Sequence, residues 1–174
     1  NRSSYSINLK GWTLLLGKTQ RNLEAELINQ DEVIVLCPSN HSLSFGPFIR
    51  TMDILGNSDL SNDGKEIAIL DQHYRVVSSV EYTSDWYSES FKAEGGWSLE
   101  RIDLNNKCGQ QDNWKASDNS IGGTPGSMNS VDAINPDYLA PIALRALWID
   151  SLHVEIVFNE SIDTTTILTN SFTL

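Results

Sequence analysis

The chain has 174 residues, 40% of them hydrophobic and 20% charged, with a formal net charge of −11; that is one ordinary domain, or one domain plus a fragment, with enough apolar content for a core. Its 12 basic residues lie scattered among 23 acidic ones, which excludes nucleic-acid binding through clustered Lys and Arg and repels acidic substrates and anionic membranes at long range. No apolar run approaches the ~18 residues of a membrane span, so no membrane insertion is expected.

From the start, Asn1-Arg2-Ser3 leads into a polar strand with no signal-peptide pattern, as in a chain read from beyond a cleavage point or cut from a longer protein. Short apolar and β-branched runs then alternate with turn signals, the pattern of an all-β sandwich or barrel. No long stretch carries a 3.6-residue period. Candidate strands are Tyr5–Leu9, Trp12–Leu16, Leu23–Leu27, Val33–Cys37, Glu66–Leu70, Arg75–Tyr82 and Ser98–Ile102. Asn62-Asp63-Gly64 is the strongest hairpin signal, because these residues tolerate positive φ. The loop from Thr83 to Gly96 carries Trp86, Tyr87 and Phe91, with Trp97 just after it. It is too aromatic for a disordered linker, and its rings are expected to pack over one end of the fold. Trp12, Leu14, Val33, Val35, Ile67, Ile69, Val80 and Leu99 are the expected core. Near residue 131 the composition shifts. Residues 132–142, with Pro136 and Pro141, read as a linker, and residues 143–174 as a partial second β segment.

The chemistry-bearing residue types are present but not arranged for catalysis. Asp59-x-Ser61-x-Asp63-Gly64 resembles the start of a calcium loop, yet its twelfth position is Leu70 where a bidentate Glu is needed, so a turn is expected. His41, His73 and His153 are far apart, with no second ligand at metal spacing. Cys37 ends an apolar run before Pro38 and reads as structural; a disulfide with Cys108 is one alternative, a buried thiol plus a loop thiol the other. Asp85, Glu89, Glu94, Glu100, Asp103 and Asp112 share the aromatic half, so a glycosidase-like pair is weighed against core-covering rings with a solvated acidic surface. Glu100 and Arg101 point to opposite faces of their strand. Arg101 is read either as a surface charge or as an anchor of the long Cys108–Ser120 loop.

A set of segments in order carries a resemblance. They are Asn8-Leu9-Lys10-Gly11-Trp12-Thr13-Leu14, Glu32-Val33-Ile34-Val35-Leu36, Leu60 to Asp71, Val76 to Tyr82, Trp97 to Asp103, Asn113-Trp114-Lys115-Ala116-Ser117, Gly123-Thr124-Pro125-Gly126 and Asn129-Ser130. As a group over residues 1–131 they resemble the lamin tail domain in its bacterial, extracellular form. Residues from about 143 onward resemble the opening of a bacterial Ig-like domain. The resemblance implies an immunoglobulin-like antiparallel β-sandwich acting as a non-enzymatic structural or recognition module, without a cofactor, at an extracellular, cell-surface or periplasmic location. It also implies two further strands upstream; the sheet edge left open without them would be closed by Leu152–Phe158 or another C-terminal strand, of the same chain or, in a strand-exchanged homodimer, of another, or else by upstream residues themselves. The partner would be a protein or a glycan. The alternative function is a carbohydrate-binding or hydrolase accessory module with Trp86, Tyr87, Trp97 and Trp114 as its ligand platform.

Overall fold

The computed structural model describes residues 1–106, 110–160 and 162. Its strands, in chain order, are β1 (Ile7–Asn8), β2 (Thr13–Leu16), β3 (Thr19–Asn22), β4 (Leu27–Ile28), β5 (Val35–Cys37), β6 (Thr51–Asp53), β7 (Gly64–Leu70), β8 (Val76–Thr83), β9 (Leu99–Arg101), β10 (Trp114–Ala116), β11 (Ala143–Trp148) and β12 (Val154–Phe158). One helical turn, α1 (Ser90–Ala93), and three short 3-10 turns complete the described elements. With 9% of residues helical, this is the all-β sandwich-type fold expected from the strand spacing.

Two compact units divide the chain, Asn1–Asn135 and the residues from Pro136 on. In the first, a four-stranded antiparallel sheet runs β3-β2-β7-β8. Its register sets Leu14 opposite Ile69, Leu16 opposite Ile67, and Ile67 opposite Val80, so the alternate residues of three strands present one apolar face. The antiparallel pairs β1–β4 and β9–β10 and the parallel pair β5–β6 make up the remaining sheets of this unit. The core gathers Leu9, Leu14, Leu16, Leu23 and Met52, with Trp12, Ile34, Leu36, Ile67 and Ile69 packed around it.

Several expectations are corrected. Val33 is 49% exposed, because the fifth strand begins only at Val35. Trp12, Val35, Ile67, Ile69, Val80 and Leu99 are half-buried rather than enclosed. Of the expected strand Leu23–Leu27 only Leu27 is in a strand, at the start of β4. The polar segment Thr19–Asn22 is the strand instead, held as a hairpin with β2 across Gly17-Lys18. β5 and β6 run parallel, with residues 38–50 as the crossover that such pairing needs. Asn62-Asp63-Gly64 is not a hairpin turn, since β6 pairs with β5 while β7 pairs with β2 and β8. The first unit extends past residue 131, because Ala133 N–H donates to the Ile102 carbonyl and Asn135 N–H to Asp103.

In the second unit β11 and β12 form an antiparallel hairpin with a bulge near Arg145. The hydrogen-bonded neighbour of Val154–Phe158 is therefore β11. Residue 161 and residues 163–174 of the expected second β segment lie outside the described residues.

Candidate functional site

The aromatic loop does fold back on the sandwich, and the means is a buried lysine. The Lys92 side chain on α1 is 6% exposed. Its ammonium reaches Glu89 at 2.9 Å, the Ser117 carbonyl at 3.0 Å and Asp118 at 3.3 Å, and lies 4.9 Å from the Trp97 ring centroid. A buried ammonium is tolerated only when its donors are met. Here three oxygens and a ring face meet them, and the Glu89 hydrogen bond above all holds the amine above its usual range. Phe91 meets Trp97 edge-on at 6.0 Å, and the Tyr87 hydroxyl donates to the Trp97 carbonyl at 2.8 Å.

These contacts leave a cleft of about 350 Å³. Tyr87, Trp97 and Trp114 line it, with Tyr82 beside them and Ile67, Val80 and Leu99 among its apolar walls. Three of the four residues expected to form a platform are thus brought together. Trp86 does not line the cleft; it contacts Trp114, with centroids 6.3 Å apart and planes tilted by 46°. The two ring pairs are tilted or edge-on, so neither presents coplanar faces. The Tyr82 hydroxyl is engaged by the Ser61 carbonyl at 2.6 Å.

Beside the cleft, the segment from Leu99 to Ser130 is tied by a polar network. Glu100 on β9 is 5% exposed and accepts hydrogen bonds from Thr124 Oγ1 at 2.6 Å and from both the N–H and Oγ of Ser130 at 2.7 Å. Burial pushes its carboxyl up, but those hydrogen bonds outweigh it and hold the group below the usual carboxylate range. Arg101 Nη2 donates to the Asn106 carbonyl, so this side chain anchors the start of the following loop. Asn113 is fully buried; its amide donates to the Asp103 and Asn106 carbonyls, and its oxygen accepts from Asp103 N–H and the Asn135 side chain. Asn113 and Ser117 stand in the Asn113-to-Ser117 motif without a role read from sequence, and Lys92 is not marked there at all. Asn113 has a legible signal in its place before Trp114, whereas nothing in Phe91-Lys92-Ala93 marks a buried lysine.

The other candidates have local roles. Asp59 forms a two-point ion pair with Arg21, both contacts at 3.0 Å, and accepts the Gly56 N–H. Its acidic run is therefore a turn fixed by an arginine. His153 pairs with Asp150 at 2.8 Å, and His73 contacts Gln72. Among the described residues no group of three or more His, Cys, Asp or Glu could hold a metal ion. Of the acidic residues in this half, Glu89, Glu100 and Asp103 are engaged by Lys92, Ser130 and Asn135 respectively, while Asp85, Glu94 and Asp112 are solvent-facing or half so. Cys37 carries a free thiol, buried, with Sγ 3.6 Å from Asp53; burial pushes its pKa up. The alternative of a disulfide falls on Cys108, outside the described residues. No helix among the described residues is long and apolar enough to cross a membrane.

Set against family models, curated proteins and solved structures, the chain matches none of them.

Proposed function

We propose that this chain is a non-enzymatic, immunoglobulin-like structural and recognition module of the lamin-tail type, belonging to a secreted or cell-surface bacterial protein. One observation carries the reading. The polar side chains of the segment that defines the resemblance are turned on one another. Glu100, Thr124, Ser130, Asn113 and Arg101 bind loops to strands instead of facing a cleft as an acid, a base or a nucleophile would. Such a network makes a rigid frame on which loops are displayed. A panel of glycoside and ester substrates tests the absence of catalysis. Turnover that disappears on mutating one carboxylate of the aromatic half would overturn it.

The aromatic cleft favours a second reading, a carbohydrate-binding accessory module. Its four lining rings, Tyr82, Tyr87, Trp97 and Trp114, and its volume of about 350 Å³ suit a single neutral sugar ring. Titration with neutral oligosaccharides, followed by tryptophan fluorescence, distinguishes the readings. Saturable quenching lost in Trp114→Ala supports sugar binding, and unchanged emission across the series leaves the module a protein-recognition or structural one.

A further inference from the structure

One face of the first unit is unlike the rest of this acidic chain. Residues 38–49 and 119–130 contain no Asp, Glu, Lys or Arg, although 20% of the chain is charged. The two loops touch: a Cβ added to Gly126 would meet Ile49 Cγ2 at 2.6 Å. On this face Leu43 is 95% exposed, Phe48 99%, Ile121 82% and Met128 75%. Between the loops lies a groove of about 310 Å³, walled by Phe45, Ile49, Ile121, Thr124 and Pro125. It shares no lining residue with the aromatic cleft.

We propose that this face pairs with the same face of a second copy of the chain, each Phe48 seating in the groove of the other. The face carries both a knob and a hole. Phe48 is not covered by its own chain, and the groove beside it is not filled by it. A surface bearing both is self-complementary, and a two-fold axis uses each once per copy. A buried phenylalanine ring contributes ~150–250 Å², so Phe48 with the other exposed side chains supplies the several hundred Å² per partner of a modest specific interface. Charge also favours this occupant. The chain's −11 repels anionic lipid, and the one basic residue next to the two loops' apolar side chains in sequence, Arg50 after Ile49, is already paired with Glu26 and Glu32. The patch itself is uncharged, and acidic groups elsewhere are screened beyond ~8 Å at physiological salt.

Sedimentation velocity of the full chain from ~1 to ~500 µM in ~150 mM salt tests the pairing. The mass is expected to rise from 19.4 kDa toward twice that value. Phe48→Asp and, separately, Ile121→Asp should each weaken the dimer at least tenfold with an unchanged melting temperature, since both side chains are solvent-facing in the single chain. Mixing Phe48→Lys with Ile121→Asp chains should restore a heterodimer that neither forms alone. The proposal is overturned by a monomer at every concentration, by a dimer indifferent to both aspartates, or by association without a fixed stoichiometry. Monomeric co-flotation with neutral phosphatidylcholine vesicles would assign the face to lipid and overturn it equally.

Discussion

At the scale of single residues, two carboxylates carry separable roles. Asp71 closes the β7–β8 hairpin: Oδ1 accepts the N–H groups of His73 and Arg75, and Oδ2 meets the Arg75 guanidinium at 2.6–2.8 Å. The Arg75 hydrogen bond above all lowers its pKa from 3.8 to about 2. A folded pKa below the unfolded one means that folding favours the charged form. The stabilisation is therefore complete above about pH 4 and fades as the pH falls toward 2. Melting curves between pH 5 and 2 should show that loss in the wild type and a flatter profile in Asp71→Asn; identical slopes would refute the role. Glu100→Gln keeps the shape but replaces one accepting oxygen with a donor facing Thr124 or Ser130. It should cost roughly 1.5–3 kcal/mol by denaturant titration, the range for hydrogen bonds to a charged group. Glu100 and Arg101 were visible in the sequence as adjacent charges on opposite strand faces. Their partners were not, because Ser130 is 30 positions away from Glu100.

At the scale of elements, the strands legible in sequence are those where apolar or β-branched residues run together: the candidate strands overlap β1, β2, β5, β7, β8, β9 and β12. β3 was missed because Thr19-Gln20-Arg21-Asn22 has no apolar face to betray it; only pairing to β2 makes it a strand. β10 was missed for a similar reason, since three residues of mixed character become a strand by pairing with β9. The aromatic loop is held by contacts of this kind. Ser98 N–H donates to the Gly122 carbonyl at 2.8 Å, and a Cβ on Gly122, at φ +90, would lie 1.9 Å from the Gly96 oxygen. Gly122→Ala must push the two loops apart, so it should destabilise by more than ~1 kcal/mol and red-shift tryptophan emission. Gly95→Ala has nothing within 4 Å of its new Cβ and should cost only backbone strain at φ +118. Equal effects of the two substitutions on emission would show that the close approach does not hold the loop. In the core, Leu14→Ala should cost ~2–5 kcal/mol, whereas Val33→Ala, on an exposed segment, should stay within ~0.5 kcal/mol.

At the scale of the whole molecule, the two units differ in how much they bury. β2 and β7 lie at the centre of a four-stranded sheet over the main core, while every residue of β11 is exposed in a two-stranded hairpin. A lone hairpin is marginal in water. Amide hydrogen exchange should therefore be slow for Leu14, Leu16, Ile67 and Ile69 and fast for Ala143–Trp148; matched protection in both units would contradict this. The sequence by itself determined the all-β class and the central strands, because short periodic runs and turn residues act locally. The parallel pairing of β5 and β6, the burial of Lys92, the bonding of Glu100 to Ser130 and the union of two uncharged loops into one apolar face were decided only by tertiary structure. Each depends on residues distant in the chain, whose meeting is set by how the sheets close around the core.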